Sequence, residues 1–425
     1  MILRTELRRS AAPVIGIGLL VCALALIYSL SGPWWKDTAA WNEQWTGLAQ
    51  WMRYLLSFLW PLVAGAGVWQ GLRDARSGVD ELFATTPKAA WRRVLPLAGA
   101  VALAVTAACV VLFVVGGVQV ARTTTYHHLK WVPVAGVMVL SLVGIALLGM
   151  GIGRLLPWLV VPPVVAVAAL AAQASSFMGG VPLLLTPTFQ TWDINVFRTV
   201  AVPVTLTQVL WFAGLGAAGY CLLVARRKIV ALVPLLLSAA VAVPFLSNAD
   251  KTVPDLDARA LVCDENGPRV CMTRAHSDAL PAVVGPAREA LALLEKLPDP
   301  PTSVVELPPD GEIGQLPAGA TPLFLLLPTE NPEEIRSLVL GGIGMPPCPT
   351  DTNGDFRKLG TEIVVTSWLI GELAPLPGYD YVWETKHKEI KQAWQELRAL
   401  SPDEQAEQVA AWRNATLTCG HELAL

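Results

Sequence analysis

RDARSGVDELFATTPKAAWRR, residues 73–93, separates two long apolar segments of this chain. A charged stretch between two segments that can each cross a bilayer must form a loop at a membrane face. Within it, Ser77 and Asp80 have the spacing of a helix N-terminal capping pair, and Pro87 ends the pattern. Apolar positions recur at helical spacing between them: Val79, Leu82, Phe83 and Thr86. The loop therefore predicts a short amphipathic helix, which either docks on a soluble partner or lies in the headgroup region.

The composition on both sides of this loop is typical of an integral membrane protein. The chain is 53% hydrophobic and 15% charged, whereas about 25% of the residues of soluble globular proteins are charged. Seven apolar runs are long enough to cross a bilayer as helices. We predict membrane spans at Ala11–Leu30, Met52–Gly71, Val94–Val120, Trp131–Ile152, Trp158–Phe177, Val204–Val224 and Ile229–Phe245.

The distribution of cations predicts the orientation of these spans. One set of loops, which includes residues 73–93, carries twelve Lys and Arg residues, and the other set carries five. Cytoplasmic loops are enriched in Lys and Arg, so we expect the N-terminus and residues 73–93 in the cytoplasm. The seventh span then leaves everything after about Ser247 outside the cytoplasm. Net charge is close to zero, which predicts no nucleic-acid partner.

The loop resembles the first cytoplasmic loop of ABC exporter permeases of the second type. That family has an Arg-x-Gly-(Thr/Val)-x-Glu-Leu-Leu-x-(Ser/Thr)-Thr-Pro stretch between its second and third spans, and here Phe83 replaces the second leucine. The matching positions are Gly78, Glu81, Leu82, Thr85, Thr86 and Pro87. In the family this segment is a coupling helix, so the resemblance implies a partner-binding role for Ser77, Gly78, Asp80, Glu81, Leu82, Phe83, Thr85, Thr86 and Pro87.

The resemblance covers residue 1 to about residue 228 and implies a transport subunit rather than an enzyme. ATP and Mg²⁺ would be bound by a separate cytoplasmic ABC ATPase subunit, with no cofactor in this chain. The permease would work in the plasma membrane as a homodimer or paired with a second permease. Six spans are usual in the family, so the seventh is a departure that would place the C-terminal region outside.

After a linker at residues 248–255, residues 256–425 predict one extracytoplasmic α+β domain that is mostly helical. Strands are expected at Ala258–Val262, Arg269–Thr273, Ser303–Leu307 and Pro322–Leu327. Helices are expected at Ser277–Leu297, from Pro332 onward, and at Phe356–Leu373, Thr385–Leu400 and Pro402–Leu417. Asn331 and Ser401 have the sequence context of helix N-caps.

Four cysteines fall in this C-terminal domain, and an even number in an oxidising compartment predicts two disulfides. We favour Cys263–Cys271, because the residues between them predict a hairpin that turns at Asn266-Gly267. Cys348 and Cys419 would form the second bond. A metal site is the alternative, although the spacing fits no zinc knuckle.

Residues with catalytic potential are few. His421-Glu422 resembles the start of a zinc-peptidase motif, but residues 423–425 bring no second histidine. His276 is expected at the surface, and Arg53 is expected to extend from a span end toward the headgroups. We predict no catalytic and no metal-binding residues.

Two further expectations concern the spans and the function. Small residues could allow close helix packing or dimerisation: Gly65, Gly67, Gly71, Gly144, Gly149, Gly151 and Gly153. The alternatives to an exporter subunit are a membrane-anchored ligand-binding or sensing protein with a non-catalytic outer domain, and a degenerate peptidase-like membrane protein.

Overall fold

The computed structural model describes residues 10–31, 44–77, 89–124, 126–177, 186–188, 196–242, 252–308, 316–325, 331–342, 354–377 and 379–418. The chain divides into two compact units, Met1–Asp255 and Leu256–Leu425. The first unit is built almost entirely from apolar helices, and the second combines helices with a four-stranded sheet.

Apolar helices occupy all seven predicted spans of the first unit. They are α1 Ala12–Ser31, α2 Trp45–Arg76, α3 Ala90–Thr123, α4 Trp131–Leu155, α5 Val161–Phe177, α6 Val202–Val224 and α7 Leu232–Ala242. Among the described residues, five of these helices, α1, α2, α3, α4 and α6, are long and apolar enough to cross a membrane.

The helices α5 and α7 are shorter than the predicted spans. The predicted fifth span began at Trp158, but α5 begins at Val161, where Pro162 and Pro163 follow. Proline favours the first helical turn because its φ is already helical and its missing N–H is not needed there. Before α7, the residues Lys228–Ala231 form a 3₁₀ turn. The last predicted residues of the seventh span, 243–245, lie outside the described residues.

The centre of the first unit is a closely packed group of three helices, α2, α4 and α6. A Cβ atom added at Gly71 would lie 2.0 Å from the carbonyl oxygen of Met150, and one at Gly153 would lie 2.1 Å from that of Val68. Gly144 gives α4 the same close approach to α6, at 2.6 Å from the Phe212 oxygen. These glycines therefore allow helix backbones of one chain to touch, which is the packing role expected from the sequence.

A two-stranded antiparallel sheet fixes the end of the first unit. Strand β1, Arg198–Val200, pairs with β2, Thr252–Pro254. The Asp255 carboxylate accepts a hydrogen bond from Lys130 Nζ at 2.6 Å, and the Asp255 backbone N–H donates to the Phe197 oxygen at 2.8 Å. Residues 252–255, which fall within the segment predicted as a linker, are thus part of this unit.

The second unit contains a mixed sheet with strand order β3-β4-β5-β6. The strands are β3 Leu261–Asp264, β4 Arg269–Thr273, β5 Ser303–Glu306 and β6 Ala320–Leu323. The first two are antiparallel, and β4, β5 and β6 are parallel. The predicted first strand at Ala258–Val262 is wrong at its start, because Leu256–Arg259 forms a helical turn, α8.

Helices complete the second unit: α9 Leu280–Leu294, α10 Pro332–Gly341, α11 Gly354–Ile370, α12 Asp380–Arg398 and α13 Pro402–Thr418. The Asn331 side chain accepts a hydrogen bond from the Glu333 N–H, which confirms the predicted cap of α10. Ser401 and Glu404 bond reciprocally before α13. Helix α12 starts five residues before the predicted Thr385, and Gly371, with φ +105°, follows the end of α11.

The hairpin of β3 and β4 contains the predicted disulfide between Cys263 and Cys271. Arg288 from α9 donates a hydrogen bond to the Asp264 carboxylate at 2.7 Å. This bond, together with one from the Asn266 backbone, holds the pKa of Asp264 below its usual value. The other predicted partners, Cys348 and Cys419, lie outside the described residues.

Candidate functional site

The structure describes the two flanks of the predicted coupling segment. Ser77 lies just after the last turn of α2, and its backbone N–H donates to the Arg73 oxygen at 3.1 Å. Eight of the nine predicted partner-binding positions lie outside the described residues: Gly78, Asp80, Glu81, Leu82, Phe83, Thr85, Thr86 and Pro87. Helix α3 then begins at Ala90.

Both flanks are attached to other helices of the unit. Arg76 Nε donates a hydrogen bond to the Pro157 oxygen at 3.2 Å, which ties the end of α2 to the turn between α4 and α5. The Tyr220 hydroxyl of α6 donates to the Trp91 oxygen at 2.9 Å, which ties the start of α3 to α6. The intervening segment is therefore held at both ends by the glycine-packed helices.

We call the surface formed by residues 73–77, 91–93, 154–160 and 225–228 the loop face. It is strongly cationic in its described part, with Arg73, Arg76, Arg92, Arg93, Arg154, Arg226, Arg227 and Lys228. It also exposes large apolar side chains, since Trp91 is 48% exposed and Trp158 is 63% exposed. A basic surface with exposed aromatic side chains can contact an acidic protein surface or lipid headgroups.

A buried polar cluster surrounds Arg53, which lies on α2 about 34 Å from Arg76 at 1.5 Å per residue. Arg53 is fully buried, so its predicted extension toward the headgroups is wrong. Its Nε donates a hydrogen bond to the Pro187 oxygen at 2.7 Å, and its Nη2 donates one to Gln208 Oε1 of α6 at 2.9 Å. A buried charge needs such partners, because unsolvated cations are costly in an apolar core.

Three helices use this cluster to hold residues 186–188 inside the unit. Gln208 also donates to the Thr186 oxygen at 3.4 Å. From α5, Gln173 accepts a hydrogen bond from the Thr188 hydroxyl at 3.0 Å and donates to the Leu56 oxygen of α2 at 3.1 Å. The cluster therefore joins α2, α5 and α6 through the segment that connects α5 to β1, far along α2 from the loop face.

The second unit contains a buried pair that the sequence did not predict. His276, expected at the surface, is 1% exposed, and its Nδ1 bonds to a carboxylate oxygen of Glu306. The other Glu306 oxygen accepts bonds from the Thr273 N–H at 2.6 Å and the Thr273 hydroxyl at 2.7 Å. Thr273 and Glu306 end the adjacent parallel strands β4 and β5. The pair therefore joins the ends of β4 and β5 in the interior of the second unit.

Two of these residues carried a signal in the sequence. Arg53 lies near the end of a predicted span, and Glu306 lies in a predicted apolar strand, so each is a charged residue in an apolar stretch. Their partners lie far away in the chain, which hid the pairing. Within the ranges that the structure describes, no group of three or more His, Cys, Asp or Glu residues could hold a metal ion.

Comparisons with protein-family models, with curated proteins and with solved structures give no match for this chain.

Proposed function

We propose that this chain is the membrane subunit of an ATP-driven ABC exporter of the second type. Residues 73–93 would dock on a separate cytoplasmic ATPase subunit, which binds ATP and Mg²⁺ and hydrolyses the nucleotide. The subunit would work with a second copy or with another permease. The motif in residues 77–87 supports this assignment through its resemblance to the family's coupling helix.

The attachment of the loop's flanks is the observation that carries the proposal. A docking segment transmits force only if its movement displaces transmembrane helices. Here the loop's ends are tied to α6 and to the turn before α5, through Trp91 and Arg76. Because α2, α4 and α6 touch backbone to backbone, displacement of this loop would move the central helices together.

The topology is part of the same proposal. All seven apolar helices would cross or enter the membrane, with the loop face in the cytoplasm and the second unit outside it. The twelve cations on one set of loops support that orientation. The Cys263–Cys271 disulfide supports an oxidising environment for the second unit, since such bonds are rare in the cytosol.

The test is co-purification of the ATPase with a variant loop. The double substitution Glu81→Lys and Phe83→Asp reverses one charge and removes the aromatic side chain of the helix predicted from the sequence. We expect the variant to insert into the membrane at the wild-type level and to lose the ATPase during affinity purification.

A matched control makes the same Glu→Lys change and replaces an exposed aromatic residue by Asp on α12, at Glu384 and Tyr381. Glu384→Lys with Tyr381→Asp should keep the ATPase. Full retention of the ATPase by the Glu81→Lys, Phe83→Asp variant would remove the docking role and favour a membrane-anchored binding or sensing protein. Loss of the ATPase from both variants would also refute a specific role for the loop.

A further inference from the structure

A groove of about 510 Å³ runs between α1 and α2 in the first unit. Its walls are almost entirely apolar, and several of its side chains face outward: Val14 is 73% exposed, Leu62 is 54% exposed and Trp69 is 51% exposed. Such an exposed apolar surface is suited to contact with the hydrocarbon core of a bilayer. The volume is within the range of small-molecule sites, about 300–1,000 Å³.

One end of the groove is polar and lies where both helices leave the membrane. Arg73 and Ser10 line that end, and the membrane-crossing parts of the two helices end at Arg73 and Ala12. Beside it, the Ala11 N–H donates to Gln70 Oε1 at 3.1 Å, which fixes the start of α1 against α2. Arg73 is exposed at this end.

The length of the groove matches one leaflet of a bilayer. On α2 its lining extends from Leu59 to Arg73, which is about 21 Å at 1.5 Å per residue. Half of a bilayer, including its headgroup region, is about 20–22 Å thick. The groove therefore reaches from headgroup level at Arg73 to near the bilayer midplane at Leu59.

We propose that this groove binds one anionic phospholipid, with an acyl chain between α1 and α2 and the phosphate at Arg73. The apolar walls fit the acyl chain, the Arg73 guanidinium at the polar end of the groove fits the phosphate, and the length of the groove fits one leaflet. Guanidinium binds phosphate oxygens through paired hydrogen bonds. Arg73 also belongs to the loop face, but binding of a lipid in the groove does not require an ATPase.

Gly18 provides a way to fill the groove without disturbing the helices. It lines the groove, and a Cβ added there has nothing within 4 Å. Gly136 on α4 is equally open but lies outside the groove, so Gly136→Phe is a matched control for Gly18→Phe. For the cation, Arg73→Gln has its control in Arg92→Gln, an exposed arginine of the same loop face.

The experiment is native mass spectrometry of the full-length chain in detergent, titrated with phosphatidylglycerol and with phosphatidylcholine of the same acyl chains. The wild-type protein should retain one phosphatidylglycerol and prefer it over phosphatidylcholine by about five-fold, as one interfacial cation supplies. Gly18→Phe should lose this bound lipid, and Arg73→Gln should retain it without the preference. Gly136→Phe and Arg92→Gln should behave as wild type.

Four results would overturn the proposal. Equal lipid retention by Gly18→Phe and Gly136→Phe would place the lipid elsewhere. No preference for phosphatidylglycerol in the wild type, or an unchanged preference in Arg73→Gln, would remove the headgroup site. Loss of a dimer in Gly18→Phe with unchanged lipid would assign the groove to a second copy of the chain. Glycerol phosphate, which lacks the acyl chains, should not displace the lipid.

Discussion

Each of the two units contains buried polar residues that stabilise its own fold. Arg53 brings α2, α6 and the Pro187 segment together through two hydrogen bonds, and Glu306 joins the ends of two strands to His276. Each is a charged or ionisable side chain with almost no solvent exposure. Such a group is tolerated only when its partners are in place, so its removal leaves those partners unsatisfied.

Arg53→Met should destabilise the first unit. The substitution leaves the Pro187 oxygen and Gln208 Oε1 without their cationic donor, and hydrogen bonds to charged groups contribute about 1.5–3 kcal/mol. We expect a lower thermal unfolding midpoint in detergent than for Arg92→Met, which changes an exposed arginine. Equal midpoints for the two variants would mean that the buried cluster does not stabilise the fold.

Acid should destabilise the second unit through Asp264. The Arg288 hydrogen bond lowers the pKa of Asp264 in the folded chain. The stabilisation of the folded state by ionised Asp264 is therefore fully present above the ordinary pKa of aspartate, about 3.9. It is lost as pH falls through the lower folded value.

Thermal unfolding measured from about pH 6 to pH 2 checks this expected loss of stability. The range covers about two units on either side of the ordinary pKa of aspartate. Arg288→Met should flatten the acid limb of the curve. Arg269→Met, which removes an exposed pair with Glu265, is the control and should leave the limb as in the wild type. An unchanged limb in Arg288→Met would exclude the contribution of Asp264.

At the scale of elements, the first unit depends on how closely its helices approach. Five glycines of α2 and α4 face backbone atoms of the neighbouring helix and leave no room for a methyl group: Gly67, Gly71, Gly144, Gly149 and Gly153. In membranes such close approach is a main source of helix association, because lipid offers no hydrophobic driving force between helices.

Gly71→Ala should weaken the packing of α2 on α4. Its Cβ would meet the Met150 oxygen at 2.0 Å, and overpacking of this kind costs about 1–3 kcal/mol. Gly136→Ala should have the opposite sign, since the position is open and alanine is the better helix former by about 1 kcal/mol. The free energy of unfolding in mixed detergent measures both. Stabilisation by Gly71→Ala would contradict the packing described above.

The elements themselves follow largely from local sequence. Apolar runs predict the helices of the first unit, and the caps at Asn331 and Ser401 and the Cys263–Cys271 hairpin are confirmed. The features that the local sequence pattern did not predict are contacts between residues far apart in the chain. The parallel pairing of β4 and β5 depends on a crossover through α9, and Arg53 finds its partners 134 and 155 residues away. Such contacts are set by helix register and packing, which no window of neighbouring residues contains.

At the scale of the whole molecule, the chain combines a unit with five helices long and apolar enough to cross a membrane, counted among the described residues, with a second unit that has its own core and disulfide. In the proposed arrangement the loop face contacts the ATPase in the cytoplasm, and the second unit lies outside the cytoplasm. The candidate site was predictable only as a sequence motif. The hydrogen bonds of Arg76 and Tyr220 that anchor its flanks could be recognised only in the structure.

Contact between residues 73–93 and an ABC ATPase subunit can be measured directly by photocrosslinking in intact membranes. A photoreactive amino acid placed at position 83 should form an adduct with that subunit, identified by mass spectrometry. The same amino acid at position 129, where Leu129 is 77% exposed in the connection between α3 and α4, should form none. Absence of the ATPase adduct at position 83, or equal adducts at both positions, would contradict the proposed coupling role.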